Sequence, residues 1–314
     1  MSAETEAAEL DAWGESPVAD ALLAVEAEER AAAEAARALG EISIADLPHG
    51  LHLGVPEAVY HQHVERLINV SSLRAIGRSL AHYRAELAAP RKASAAMEIG
   101  TAVHMAALEP ERFATRYAEL PDFGDLRFKT NKQRRDEWRR ANAGRIGLAP
   151  ADWERVRAAA RAVQRHPEIG PLVREAQAEV TLRWRDATGL ECKGRADALV
   201  ERPDLRLVLD LKTTSDASAW AFGRSVADYR YHVQQAFYAA GFAAIGRPID
   251  AFLFVAVEVE PPYAVAVYQL SERAEARGRE LVRAELALLA DAYARNEWPS
   301  YPSQITELEL PAWA

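Results

Sequence analysis

Asp197, Asp210 and Lys212 are the residues whose types and spacing carry the most chemical meaning in this chain. Asp197 closes the run Gly194-Arg195-Ala196-Asp197, and Asp210 opens Asp210-Leu211-Lys212-Thr213-Thr214 shortly after it. Strand periodicity points Leu205, Leu207, Leu209 and Leu211 to one face, and Asp210 and Lys212 to the other. A turn at Pro203-Asp204 joins this strand to the preceding one, which places Asp197 near Asp210 at one edge of a sheet. Two carboxylates beside a lysine suit attack on a phosphodiester. The carboxylates hold Mg²⁺, which activates a water and screens the phosphate, while the lysine orients the nucleophile or steadies developing charge. Solvated strand acids, an Asp210–Lys212 ion pair or an Arg195 network are the plainer uses of the same residues.

Other side chains join this set by position. His104 lies among Ala102, Val103, Met105 and Ala106, where a satisfied core histidine is the ordinary role. Beside two carboxylates, a neutral imidazole also makes sense as a third metal ligand that adds no charge. Gln234 and Tyr238 are one helical turn apart and share a face. The glutamine can bridge a lysine or a water to phosphate, and the tyrosine can orient a phosphate oxygen or stack on a terminal base. The single cysteine, Cys192, rules out an intrachain disulfide framework and a multi-cysteine zinc site, and reads as a small buried side chain. His49, His52, His61 and His63 fall in a segment broken by Pro and Gly without an acidic partner, and read as surface or DNA-contacting histidines rather than a zinc site. No phosphate-binding loop or dinucleotide fingerprint is present.

The elements that must hold these residues read as helices first and strands after. A helix starts at Ser71 or Ser72 as N-cap and carries Leu73, Ile76, Leu80 and Tyr83; a second covers about Ser94 to Leu108 and stops at Pro110. Residues 121–135 read as loop. The next helix starts after Pro150 with Asp152 as candidate cap, shows Val156, Ala159 and Val163 on one face, and is closed by Pro167, Gly170 and Pro171. Strands follow from Glu179, where Val180, Leu182 and Trp184 alternate with Thr181, Arg183 and Arg185, then over 190–200 and 205–212. An apolar helix over 231–245, strands over 251–260 and 263–270, and a long helix over 271–296 complete the pattern. The expected fold class is α/β, a central mixed sheet flanked by helices. Three regions are expected: an acidic Ala/Glu-rich extension (1–40), one domain with a helical and basic insert (41–298), and an irregular tail (299–314).

Charge is distributed unevenly. The formal net charge is −9, but residues 1–40 hold ten acids against Arg30 and Arg37, and the remainder is nearly neutral. Residues 127–165 carry twelve Lys or Arg against four acids. Within them Lys129, Lys132, Arg134, Arg135, Arg139 and Arg140, interrupted by Phe128 and Trp138, have the mixture that phosphate contacts and base stacking use. A solvated helical face is the alternative, most plainly for Arg155, Arg157, Arg161 and Arg165. No apolar run is long enough to span a membrane, and the acidic amino terminus lacks the layout of a signal peptide, so a cytoplasmic protein is expected.

Taken in order, Gly100-Thr101-Ala102-Val103-His104, Glu179, Gly194-Arg195-Ala196-Asp197, Asp210-Leu211-Lys212-Thr213-Thr214 and Tyr231-His232-Val233-Gln234-Gln235-Ala236-Phe237-Tyr238 resemble the PD-(D/E)XK nuclease superfamily. Within it they are most similar to the nuclease domain of RecE-type phage exonucleases (exodeoxyribonuclease VIII). The resemblance runs from about Tyr60 to Trp298. It implies that Asp197, Asp210, His104 and the Leu211 carbonyl hold metal, and that Lys212 is the catalytic lysine. Glu179 stands where the family often has a glutamate, and Gln234 and Tyr238 match its Gln-X-X-X-Tyr motif. Arg-Ala-Asp replaces the Arg-Pro-Asp of RecE-like members, a departure that keeps the carboxylate. The resemblance further implies a Mg²⁺-dependent 5′-to-3′ exonuclease on linear double-stranded DNA, with Mn²⁺ as substitute, exposing 3′ strands for recombination. A single-strand annealing protein as partner, a homo-oligomer such as a tetramer, and a phage or prophage origin in a bacterial cell belong to the same expectation. A RecB- or Cas4-like nuclease of other polarity and a non-catalytic DNA-end-binding scaffold are the alternatives.

Overall fold

The computed structural model describes residues 42–88 and 95–310; the acidic extension expected over 1–40 lies outside them. The described residues divide into two compact units, residues 42–47 with 54–64, and residues 48–53 with 65–88 and 95–310. In the described part of the first, a 3-10 turn at Ile44–Asp46 is capped by Ser43, and Ile44 N–H donates to Gln62 Oε1 at 2.9 Å.

The second unit contains a seven-stranded sheet. Its strands are β1 (Gly50–His52), β2 (Leu67–Ile68), β5 (Gln177–Arg185), β6 (Glu191–Arg202), β7 (Leu205–Thr214), β8 (Ala251–Glu258) and β9 (Val265–Tyr268). The order is β1-β5-β6-β7-β8-β9, with β2 paired to β6. The β7–β8 and β2–β6 pairs are parallel and the rest antiparallel. Parallel β7 and β8 require a crossover. It is made by α8 (Ala219–Asp228) and α9 (Tyr231–Ala244). The remaining helices are α1 (Val70–Ile76), α2 (Leu80–Ala88), α3 (Ala95–Leu108), α4 (Pro110–Arg116), α5 (Lys129–Ala141), α6 (Pro150–Arg165), α7 (Ile169–Glu175) and α10 (Glu272–Arg295). Two short strands, β3 (Tyr117–Glu119) and β4 (Ile146–Leu148), pair in parallel beside α5.

Each sheet face buries its own core. On one face Leu182, Trp184, Val208, Phe252 and Phe254 pack against Leu73, Phe237, Phe242 and Leu286 from α1, α9 and α10. On the other, Leu207, Leu209, Leu211, Val255 and Val257 pack against Val103, Val156 and Val163 from α3 and α6. Each such fully buried side chain contributes roughly 1.5–3 kcal/mol. The alternating leucines of β7 therefore face one core while Asp210 lies on the opposite side of the strand. This is the mixed α/β sandwich expected from the pattern.

Several local expectations are corrected. The first helix is capped by Asn69, not by Ser71 or Ser72: Asn69 Oδ1 accepts from Ser72 N–H at 3.1 Å, and Ser72 Oγ accepts from Asn69 N–H at 3.3 Å. It ends at Gly77, so Leu80 and Tyr83 belong to a separate helix. Pro110 opens α4 at its first turn, where a missing N–H costs nothing. Asp152 lies inside the first turn of α6 and pairs with Arg155 at 3.0 Å, while the cap position is Ala149. That helix ends at Arg165, and Gly170 and Pro171 sit inside α7. Residues 129–135, expected as loop, form the start of α5.

Candidate active site

Five elements converge on the carboxylates. β7 supplies Asp210 and Lys212, β6 Asp197, β5 Glu179, α3 His104 and α9 Gln234. The ladders separate at this point. β6 and β7 are paired from Ala198 with Leu209 to Arg202 with Leu205, and Asp197 and Asp210 lie just beyond that register. The inward alternation of β6 also changes phase here. Ala196 and Leu199 face the first core, whereas Ala198 and Val200 face the second. On the neighbouring strand Glu179 has φ +53°, a left-handed backbone that is uncommon for a glutamate and marks a locally strained segment. The strand irregularity thus falls where the sheet edge presents its acids.

Asp210 is 1% exposed. Its Oδ1 accepts from Gln234 Nε2 at 2.5 Å, and its Oδ2 is paired with the Lys212 ammonium. Asp197 Oδ2 accepts the Leu211 N–H at 2.8 Å and lies 3.4 Å from His104 Nδ1. Glu179 Oε2 lies 3.7 Å from Arg195, whose Nε donates to Thr181 Oγ1 at 2.9 Å. The Lys212 ammonium also sits 4.8 Å from the centre of the Tyr231 ring, a cation–π contact.

Burial pushes three carboxyls upward, and the charge of Asp197 adds to the rise at Asp210 and Glu179. Burial raises Asp210 to about 6, with Asp197 adding to the rise and Lys212 opposing it. Asp197 is raised by burial against the pull of Lys212 and the Leu211 N–H. Glu179 reaches about 7 through burial and then the charge of Asp197. Burial, with Lys212 second, lowers His104 to about 4, so its imidazole is neutral at neutral pH. Burial alone would lower Lys212, but Asp210 and Asp197 outweigh it and hold the ammonium above the ordinary lysine value. Such desolvated like charges beside one cation are characteristic of sites that bind cations or move protons.

This donor set fits a hard divalent cation. Mg²⁺ takes one or two carboxylates and retains waters, so it does not need an all-protein cage. Among the described residues, no three His, Cys, Asp or Glu side chains are gathered into such a cage. Gln234 donates to Asp210 Oδ1 and Lys212 pairs with its Oδ2, while the Asp197 charge is opposed by Lys212 and the Leu211 N–H and that of Glu179 by Arg195 and Arg112.

A family model described as a PDDEXK-like domain of unknown function (DUF3799) matches residues 69–310, which spans every one of these side chains. The chain belongs to this PDDEXK-like family. No curated protein matches it. Among solved structures, the chain is similar to a protein of Eubacterium rectale assigned as an exonuclease, at 12% identity and a TM-score of 0.53 over 83% of this chain and 97% of that one. It also matches a phage-related exonuclease of Haemophilus somnus 129PT at 12% identity and a TM-score of 0.31, over 75% of this chain and 98% of that one. The first likeness is one of fold alone, and the PDDEXK-like assignment rests on the family model; the second is too slight to carry an argument.

Within the PDDEXK-like fold, the side chains singled out in sequence fall into two groups. His104, Glu179, Asp197, Asp210, Leu211, Lys212 and Gln234 converge. Tyr238 does not join them: its ring is buried in the first core against Phe252, and a Cβ added at Gly194 would lie 2.9 Å from it. The close approach of the Tyr238 ring accounts for the glycine of Gly194-Arg195-Ala196-Asp197. Lys129, Lys132, Arg134, Arg139 and Arg140 stand exposed on α5, and Arg135 is half-buried and pairs with Asp136 at 2.7 Å. Trp138 packs on Phe123 and against Gly147 rather than standing free for a base, whereas Phe128 is exposed. His49 pairs with Glu191 and His52 bonds to the Pro48 carbonyl, so the two do not form a zinc site. Tyr231, named in the sequence only as the first residue of the run ending at Tyr238, lies beside the Lys212 ammonium; its position three residues before Gln234 was the available signal.

No helix among the described residues is long and apolar enough to cross a membrane.

Proposed function

We propose that the chain is a divalent-metal-dependent exodeoxyribonuclease that hydrolyses phosphodiester bonds of linear double-stranded DNA. The observation that carries this reading is the convergence of Asp197, Asp210 and His104 with Lys212 at the point where β6 and β7 separate. Asp197, Asp210, His104 and the Leu211 carbonyl would hold the cation, Mg²⁺ or its substitute Mn²⁺. When bound, that ion supplies charge to the phosphate and lowers the pKa of water.

The protein residues supply the rest. Gln234 fixes the rotation of the Asp210 carboxylate through its 2.5 Å hydrogen bond. Tyr231 and Asp210 together hold the Lys212 ammonium, which stays protonated and can donate to a phosphate oxygen or orient the attacking water. Neutral His104 offers a lone pair without adding charge. Glu179, raised toward neutrality, can exchange a proton within the working pH range and is oriented by Arg195. The exposed cations of α5 (Lys129, Lys132, Arg134, Arg139 and Arg140, with Arg135) would hold DNA phosphates. A 5′-to-3′ direction, a role in recombination with an annealing protein, and a homo-oligomer that encircles DNA follow from the RecE-type resemblance and belong to the same proposal.

End-labelled linear duplex and covalently closed circular duplex, each incubated with Mg²⁺ or with chelator, test the proposal. The expected result is mononucleotide release from the linear substrate alone, and only with metal. Cutting of the circle would replace it with an endonuclease, and metal-independent binding without strand loss would replace it with a scaffold.

A further inference from the structure

A chain of stacked aromatic rings leads from the Lys212 ammonium to solvent, and the scheme above leaves its outer end unused. Lys212 Nζ lies 4.8 Å from the centre of the Tyr231 ring. Tyr231 is backed on its buried side by Phe254, with centroids 5.8 Å apart and planes at 24°. Toward the surface it stacks on Tyr229, at 5.6 Å and again 24°. Tyr229 is 53% exposed, an unusual position for a large ring one step from a half-buried lysine. The Arg74 guanidinium, itself exposed on α1, stands over that ring at 5.9 Å.

The local backbone fixes this end of the stack. Tyr229 is the C-cap of α8, and Arg230 after it adopts φ 60° before α9 begins at Tyr231. Arg230 turns inward. Its guanidinium donates to the Leu73 carbonyl at 2.7 Å and pairs with Glu285, tying the α8–α9 joint to α1 and α10. With Arg230 pinned, Tyr229 and Tyr231 project as parallel neighbours, and α1 brings Arg74 to the same place. A preorganised aromatic face with an adjacent guanidinium, opening beside a phosphodiester-cleaving centre, is the combination that binds an unpaired base and its phosphate.

We propose that Tyr229 is the stacking platform for an unpaired nucleobase next to the scissile phosphodiester, the base taking the place over the ring that the Arg74 guanidinium occupies here and Arg74 swinging out to meet the adjoining phosphate. The ligand class is the frayed or single-stranded end of a DNA strand, and the inference rests on the nuclease reading above. Stacking accepts any base, because every base offers a π-face, so the platform favours unpaired ends over sequence. Tyr229 acts in binding and positioning, while the reacting atoms meet Lys212 and the carboxylates.

The test uses the full chain and duplexes whose terminal nucleotide is 2-aminopurine, either paired or in a short overhang, with Mg²⁺. Binding to the wild type should quench the overhang fluorophore. Tyr229→Ala should remove that quenching and raise KM for overhang ends by about 5-fold or more, the range of one lost base stack, with a smaller change in kcat. Tyr229→Phe, which keeps the ring and loses the hydroxyl, should restore both. Arg74→Ala should raise KM and weaken its salt dependence without abolishing the quenching. Unchanged quenching and KM in a folded, cleaving Tyr229→Ala protein would overturn the platform and leave the nuclease reading intact. Absence of metal-dependent cleavage in the wild type would instead overturn the nuclease reading, and the platform with it.

Discussion

Glu179 offers a test of the electrostatic description that does not depend on turnover. Burial and the Asp197 charge raise its carboxyl from 4.5 to about 7. Between those two values the folded protein binds more protons than the unfolded chain, so stability falls as pH rises through the window. The penalty is absent below about pH 4.5 and fully developed above about pH 7. A shift of that size corresponds to about 3 kcal/mol, which the 31% exposure of the side chain reduces to ~1–2 kcal/mol. Glu179→Gln removes the titration while keeping the shape. In chelator, denaturant unfolding of both proteins from pH 4 to pH 8 should show the variant gaining stability over the wild type, from near zero to ~1–2 kcal/mol. Mg²⁺ should diminish that difference, since added positive charge near Asp197 relieves the repulsion that raises Glu179. A stability difference that stays constant across the whole range would refute the placement of Glu179 in a desolvated acidic cluster.

Three further outcomes are expected. Gly194→Ala puts a Cβ 2.9 Å from the Tyr238 ring and should destabilise the fold by about 1–3 kcal/mol, measured as a lower denaturant midpoint. Gln234→Ala frees one oxygen of Asp210 and should lower the single-turnover rate about tenfold or more while DNA affinity changes little; equal loss of affinity would place Gln234 on the substrate instead. Replacing Lys132, Arg134 and Arg135 together with alanine should raise the DNA dissociation constant and flatten its dependence on salt, since fewer counterions are released; an unchanged salt slope would make α5 a solvated face.

The parts of this protein legible from sequence are those where period alone decides the structure. Leu205 to Leu211 alternate strictly, so the side of β7 carrying Asp210 and Lys212 follows directly, and the meander brings Asp197 close. The long helix expected over 271–296 is found at Glu272–Arg295, where Ser271 Oγ accepts from Ala274 N–H. What escaped depends on partners distant in sequence. β1 and β2 are two or three residues long and exist through pairing with β5 and β6. α5 has no buried residue and hence no apolar stripe to reveal it. The Asn69 cap competes with two serines that look as good. Tyr238 keeps the spacing of a functional motif, but the fold buries it, and only the close approach of Gly194 shows why.

Single-turnover cleavage of end-labelled linear duplex by Asp210→Asn in Mg²⁺ tests whether Asp197 and Asp210 hold the metal that enables cleavage, as proposed. Folding and DNA binding are followed on the same sample. The substitution keeps the shape of a side chain only 1% exposed and removes one negative ligand. A folded variant that still binds duplex and has lost nearly all cleavage, by a factor of about 10³ or more, is the predicted result. Cleavage at the wild-type rate by that folded variant would contradict the account and remove Asp210 from the mechanism.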